Sequence, residues 1–216
     1  MRPKLLIWDW NGTILDDMEF TYQIENDMLR RRGMHTIPDR AFYLQHFGFP
    51  IIEYYKKLGY DFSVHPYEVL AAEFHDLYAA GYQNCPLRAG VTDVLRRVQA
   101  LGVPQTLLSA SEQSRLNEQT AYYGVTAYFT ELLGLSDDFA VSKVDRAKDY
   151  IRRERFDPNE VVFVGDTDHD YEAASAVGCR CVLMTGGHQG RQRLEACGVP
   201  VVGSPEELYR LLFAEA

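Results

Sequence analysis

Apolar residues follow two rhythms along this chain. From Val91 onward, helix-period stretches alternate with short apolar runs: helices at 91–101, 112–123, 143–155 and 170–177, and runs at 103–108, 128–132, 161–164 and 181–184. A short helix after His188, a run at 199–202 and a helix at 205–213 complete the series. This alternation predicts parallel strands joined by helical crossovers, a doubly wound, Rossmann-like α/β sheet. The run Leu5-Leu6-Ile7-Trp8 predicts a further buried strand. Residues 16–86 break the rhythm, with helical patterns at 17–32, 38–46, 50–58 and 66–82 and no strand pattern. Gly33, Gly48, Gly59 and Gly81 punctuate them, and 84–90 reads as a return linker. The expected organisation is therefore a core domain of residues 1–15 and 87–216, interrupted by a helical cap domain at 16–86.

In an open α/β sheet, ligands bind beyond the carboxyl ends of the strands, so the residues closing each run are the candidates for chemistry. The first run closes on Asp9, followed by Trp10-Asn11-Gly12-Thr13. On that segment alone, a carboxylate that merely hydrogen-bonds its own turn is an equally good reading. The remaining ends tip the balance. The run at 103–108 leads to Ser109-Ala110, Ser142-Lys143 opens a helix, and the run at 161–164 leads to Gly165-Asp166, with Asp170 four residues further on. A carboxylate nucleophile, a hydroxyl beside a backbone N–H, a lysine and further acids are the parts that phosphoryl transfer uses. Lys143, Ser109 and the Ala110 N–H suit the phosphoryl oxygens, where charge spreads in the transition state. Mg²⁺, which prefers a few carboxylates plus phosphate and water, suits Asp9, Asp166 and Asp170.

Charge narrows the partners. With 31 acidic against 22 basic side chains, the formal charge is −9, which disfavours nucleic acid or an anionic membrane surface. No apolar run is long enough to span a bilayer, and the apolar segment after Met1-Arg2-Pro3-Lys4 is too short for a secretory signal, so the cytoplasm is the expected location. Cys85, Cys179, Cys181 and Cys197 lack metal-site or redox spacing and read as packed thiols, and the six histidines form no paired motif. A monomer or weak homo-oligomer follows from the lack of any heptad pattern.

Asp9-x-Asn11-Gly12-Thr13, Ser109, Lys143 and Gly165-Asp166-x-x-x-Asp170 resemble, in order, the four motifs of the haloacid dehalogenase-like (HAD) superfamily, and the insert resembles the helical cap of its phosphoglycolate phosphatase branch. The resemblance implies a Mg²⁺-dependent phosphatase acting on a small phosphorylated metabolite through an aspartyl phosphate on Asp9. It implies Asp9, the Asn11 backbone carbonyl, Asp166 and Asp170 as metal ligands, and Ser109, Ala110 and Lys143 as the phosphoryl cradle, with Asp9, Asn11 and Lys143 forming the catalytic set. Thr13 would support the turn, and Asp168 reads as a solvated helix cap.

One departure matters. The superfamily's phosphatases carry an acid two residues after the nucleophile, where this chain has Asn11. An amide transfers no proton, and losing general acid–base catalysis costs about 10²- to 10⁴-fold. Alternatives to an ordinary phosphatase are a hydrolase of activated phosphoryl groups (acyl phosphate, anhydride, phosphonate) or a phospholigand-binding protein with little turnover. Asn11→Asp is then expected to raise activity toward alkyl phosphates. The loop His46-Phe47-Gly48-Phe49-Pro50 resembles a substrate-specificity loop, Arg88 is a candidate for an anionic substrate tail, and Arg30-Arg31-Arg32 reads as a solvated helix end.

Overall fold

The computed structural model describes residues 2–135 and 143–214. Six parallel strands form one sheet in the order β3-β2-β1-β4-β5-β6: β1 (Leu5–Trp8), β2 (Gln105–Glu112), β3 (Glu131–Leu135), β4 (Val161–Gly165), β5 (Arg180–Met184) and β6 (Val201–Val202). β1 is central, hydrogen-bonded to β2 on one side and β4 on the other, and all four of its residues are buried. Its side chains alternate between two cores: Leu6 and Trp8 pack with Val91, Val94 and Leu95 of α5 (Val91–Ala100), and Leu5 and Ile7 with Ala147 and Ile151 of α7 (Lys143–Glu154). Burial on both faces is why these strands read as unbroken apolar runs. The strand order reverses between β1 and β4, so a crevice is expected beyond their carboxyl ends.

Two predicted strands are displaced. The run expected at 128–132 begins at Glu131, because Thr126–Tyr128 forms a 3₁₀ turn first. The run at 103–108 continues to Glu112, with a register shift against β3 after Leu108 that carries Ser109 to Ser111 along the edge.

Residues 16–86 contain α1 (Met18–Arg31), α2 (Arg40–His46), α3 (Ile51–Lys57) and α4 (Tyr67–Ala79) and no strand. They gather around an aromatic cluster of their own, with Tyr43, Phe47, Tyr54, Tyr55 and Tyr78 beside Ile24, Met28 and Leu29. The chain crosses to this layer twice, and the crossings are tied together: Asp16 N–H donates to the Pro86 carbonyl at 2.9 Å and Arg88 N–H to the Ile14 carbonyl at 2.9 Å. The four cysteines are free thiols, Cys85 and Cys181 buried.

Within this layer Glu25 is buried and accepts a hydrogen bond from Tyr54 Oη at 2.7 Å. Burial pushes its carboxyl up to about 8, against the opposing pull of the Tyr54 hydroxyl. The folded state therefore holds a proton that the unfolded state has released, so this group's contribution to stability is full below about 4.5 and is lost as pH rises toward 8. Glu25→Gln should leave the unfolding midpoint nearly unchanged at pH 5 and raise stability at pH 9 by a few kcal/mol, roughly. Thermal unfolding at the two pH values checks this.

Candidate active site

The carboxyl ends of β1 and β4 bring three acids together. Asp9 follows β1, its N–H bonded to the Val164 carbonyl at 2.8 Å; Asp166 follows β4; Asp170 lies in the first turn of α8 (Asp168–Val177). One carboxylate oxygen from each falls within 4.8 Å of the others. Lys143, the first residue of α7, donates to Asp9 Oδ1 at 2.6 Å and to Asp170 Oδ1 at 2.5 Å. Ser142, expected to precede it at the helix start, lies outside the described residues.

Each acid is held differently. Asp170 Oδ2 accepts from Thr167 Oγ1 at 2.7 Å and from the Thr167 and Asp166 N–H groups, so both its oxygens are engaged with protein. Asp166 accepts from Thr13 Oγ1 at 3.0 Å and from the His188 N–H at 2.6 Å, so the Thr13 hydroxyl is directed to this acid and not to the turn it was expected to support. Burial raises the Asp9 carboxyl to about 8, with Asp170 and Asp166 adding repulsion and Lys143 opposing. Asp166 rises to about 6, chiefly through burial; burial also acts to raise Asp170, but Lys143, the Thr167 hydroxyl and His169 together hold it below the ordinary value. Burial works against the charge on Lys143, but Asp170 and Asp9 hold its pKa above the ordinary lysine value. Three carboxylates facing one ammonium leave a surplus of negative charge on hard oxygen donors, and a divalent oxygen-seeking cation such as Mg²⁺ fits that donor set.

Glycines make the close approach possible. Gly12 has φ +70°, and a Cβ there would meet Asp166 Oδ2 at 2.2 Å; at Gly187 it would meet the same oxygen at 2.1 Å. Gly187→Ala must therefore displace Asp166, costing about 1–3 kcal/mol of stability. Chemical denaturation of the variant measures that cost, and divalent-cation stabilisation should weaken with it.

Ser109 is buried, its hydroxyl accepting from the Ser111 N–H at 3.1 Å, and Ala110 beside it is exposed at the end of the crevice. Asn11 faces away from the acids toward the helical layer. Its Nδ2 donates to Asp17 Oδ2 at 2.7 Å and to Tyr78 Oη at 2.8 Å, and its Oδ1 accepts from Ser111 Oγ at 3.2 Å. Both amide hydrogens are thus occupied. Asp17 is the hub: Oδ2 also accepts from Tyr78 Oη at 2.6 Å, and Oδ1 accepts from the Gly12 N–H at 2.7 Å and faces His188 Nε2 at 3.3 Å. Burial would raise the Asp17 carboxyl, but His188, Tyr78 and Asn11 together hold it below the ordinary value. His188 in turn rises to about 9, Asp17 and Asp166 outweighing burial, so the two form a buried ion pair.

His188 went unread in the sequence beyond its place in a dispersed set of six; the Gly186-Gly187 step after β5 is the one local mark of a tight loop there. The loop reaches the helical layer broadly: His188 Nδ1 meets Tyr43 Oη at 2.7 Å, Gln189 Nε2 donates to the Phe47 carbonyl at 3.3 Å, and Arg193 Nη1 donates to it at 2.5 Å. Arg193 also pairs with Asp168 at 2.7 Å, so Asp168 is a bridge to this loop and not a solvated cap. His169 stacks on Phe49, ring centroids 4.6 Å apart. Arg88 donates to the carbonyls of Gly12 and Thr185, which places its guanidinium on backbone. Arg30, Arg31 and Arg32 pair with Asp27 and Glu73.

Comparison with known proteins agrees with this geometry. Over 197 residues the chain is 24% identical to a phosphoglycolate phosphatase of Rhodobacter capsulatus, covering 88% of this chain and 87% of that one. Over 201 residues it is 24% identical to the tyrosine-protein kinase PtkA of Mycobacterium tuberculosis, covering 93% and 68%. Among solved structures, a haloacid dehalogenase-like family hydrolase from Streptococcus pneumoniae superposes with a TM-score of 0.83 at 16% identity, over 96% of this chain and 97% of that one. The haloacid dehalogenase-like hydrolase family model matches residues 6–184, and with the acids, lysine and sheet order in place the chain belongs to that family.

Proposed function

We propose that the protein is a Mg²⁺-dependent phosphatase of small phosphorylated metabolites that works through an aspartyl phosphate on Asp9. The observation that carries this reading is the position of Asp9 at the carboxyl end of β1, 2.6 Å from Lys143 and clustered with Asp166 and Asp170. In this reading Asp9 attacks phosphorus in line, and its new O–P bond forms as the bond to the leaving oxygen breaks. Water then attacks the phosphoryl group, releasing phosphate and restoring Asp9. Lys143, the Ser109 hydroxyl and the Ala110 N–H hold the non-bridging oxygens. Asp9, Asp166 and the Asn11 carbonyl, with Asp170 beside them, would hold Mg²⁺, which would neutralise the carboxylate cluster and the phosphoryl charge. Residues 16–86 act as a cap that closes over the site and excludes water, on a hinge formed by the two crossings.

Asn11 shapes which esters react. Its two amide hydrogens are spent on Asp17 and Tyr78, so it offers the leaving oxygen neither a proton nor a free donor. This observation favours leaving groups that depart without protonation, and it keeps activated phosphoryl compounds as a second substrate reading. The test is hydrolysis of an aryl phosphate by the purified protein. Turnover that stops with EDTA and returns with Mg²⁺ is the expected result. No turnover in Mg²⁺, with phosphate still bound, overturns the phosphatase reading in favour of a phospholigand-binding protein.

A further inference from the structure

Resting on the phosphatase reading, we infer that the substrate's leaving group is uncharged and carries an apolar face, because the cap meets the catalytic edge with aromatic rings and a carboxylate and brings no cation to it. The side chains that the cap lays against the edge are Tyr43 and Phe47 on His188, Phe49 on His169, Tyr78 on Asn11, and Asp17. Phe49 remains 39% exposed although it stacks on His169, the residue before Asp170.

The cap's cations are committed elsewhere. Arg31 and Arg32 pair with Glu73, Arg40 with Glu19 and Lys56 with Glu53, on the outside of the helices, and Lys57 is exposed. On the core side, His188 is bracketed by Asp17 and Asp166, Arg193 is bonded to Asp168 and the Phe47 carbonyl, Arg88 to two backbone carbonyls, and Arg115 is engaged as well. Residues 136–142 contain no lysine or arginine. A carboxylate on the leaving group would lose its hydration against these rings and beside Asp17, whose one close cation, His188, is already paired with it, which is costly. An uncharged apolar group would instead gain contact with the exposed part of the Phe49 ring. The relatives named for phosphoglycolate act on a substrate whose leaving group bears that carboxylate, so this chain departs from their preference.

Three alkyl esters of inorganic phosphate separate charge from leaving-group quality: 2-phosphoglycolate, its uncharged amide, and benzyl phosphate. For each, kcat/KM is measured in Mg²⁺, together with the constant for competition against hydrolysis of an aryl phosphate. The expected order of competition is benzyl phosphate, then the amide, then 2-phosphoglycolate, and the amide should exceed the carboxylate by at least about tenfold in both readouts. Phe49→Ala should weaken competition by benzyl phosphate while leaving that of the amide within about twofold. A carboxylate that competes as well as its amide, or better, overturns the inference while the aryl phosphate turnover leaves the phosphatase reading standing. Failure of every ester, the aryl phosphate included, removes both.

Discussion

Asp9→Asn should lower Mg²⁺-dependent hydrolysis by about 10⁴-fold or more, the largest effect of any single substitution in this chain. The amide cannot attack phosphorus, and its loss of charge also turns one of the three carboxylate donors that converge within 4.8 Å into a weaker, neutral one. The fold should survive the change. Asp9 is pushed up to about 8 by burial and by its acidic neighbours, so its charged form carries a cost in the protein without metal that the amide does not incur. The variant should therefore unfold at the same temperature as the parent or higher, while turnover disappears. Steady-state kinetics beside a thermal melt separates the two, and a variant that keeps more than about a hundredth of the parent rate would place the nucleophile elsewhere.

Asn11→Asp should not deliver by itself the gain toward alkyl phosphates that the sequence suggests. The new carboxylate would lie against Asp17 Oδ2, where Asn11 Nδ2 now donates at 2.7 Å. Two buried carboxylates at that distance cannot both be ionised. The substitution also removes the donor to Tyr78, and the single variant should lose on the order of 2–4 kcal/mol of stability. Asn11→Asp combined with Asp17→Asn restores a carboxylate–amide pair in the opposite sense, with the position 17 amide oxygen still able to accept from the Gly12 N–H. The double variant should recover part of the stability, His188 no longer being held charged by Asp17, and shift the ratio of alkyl to aryl phosphate turnover upward by about tenfold or more. Thermal melts and the two rates measured on all three variants decide it. A single Asn11→Asp variant that is as stable as the parent would show that Asp17 does not hold the charge assigned to it.

Much of this architecture is legible in the sequence, for a definite reason. Strands buried on both faces leave continuous apolar runs, and the residues that close those runs, Asp9, Ser109 and Asp166, are adjacent in space because parallel strands deliver their ends to one edge. Lys143 and Asp170 were legible in the same way, at helix starts facing that edge. The displaced β3 shows the limit: Tyr128 and Phe129 look like strand residues, but the tight turn at Thr126–Tyr128 comes first and the ladder begins at Glu131. The network around Asn11 was less legible still. Asp17, Tyr43, Tyr78 and His188 come from four separate segments, each polar residue ordinary in its own surroundings, and only packing of the helical layer on the sheet edge makes them a unit. Asp168 and Arg88 erred in the same direction, since their partners Arg193 and the Gly12 and Thr185 carbonyls are distant in sequence.

The most direct test of the central claim is covalent. The protein is mixed with an aryl phosphate and Mg²⁺, quenched in acid within the first turnover, digested and examined by mass spectrometry for a hydroxylamine-sensitive phosphoryl group. The account predicts that group on the peptide carrying Asp9 and its absence from the Asp9→Asn variant. Steady turnover with no phosphoryl group on that peptide, or with one on a different residue, would contradict it.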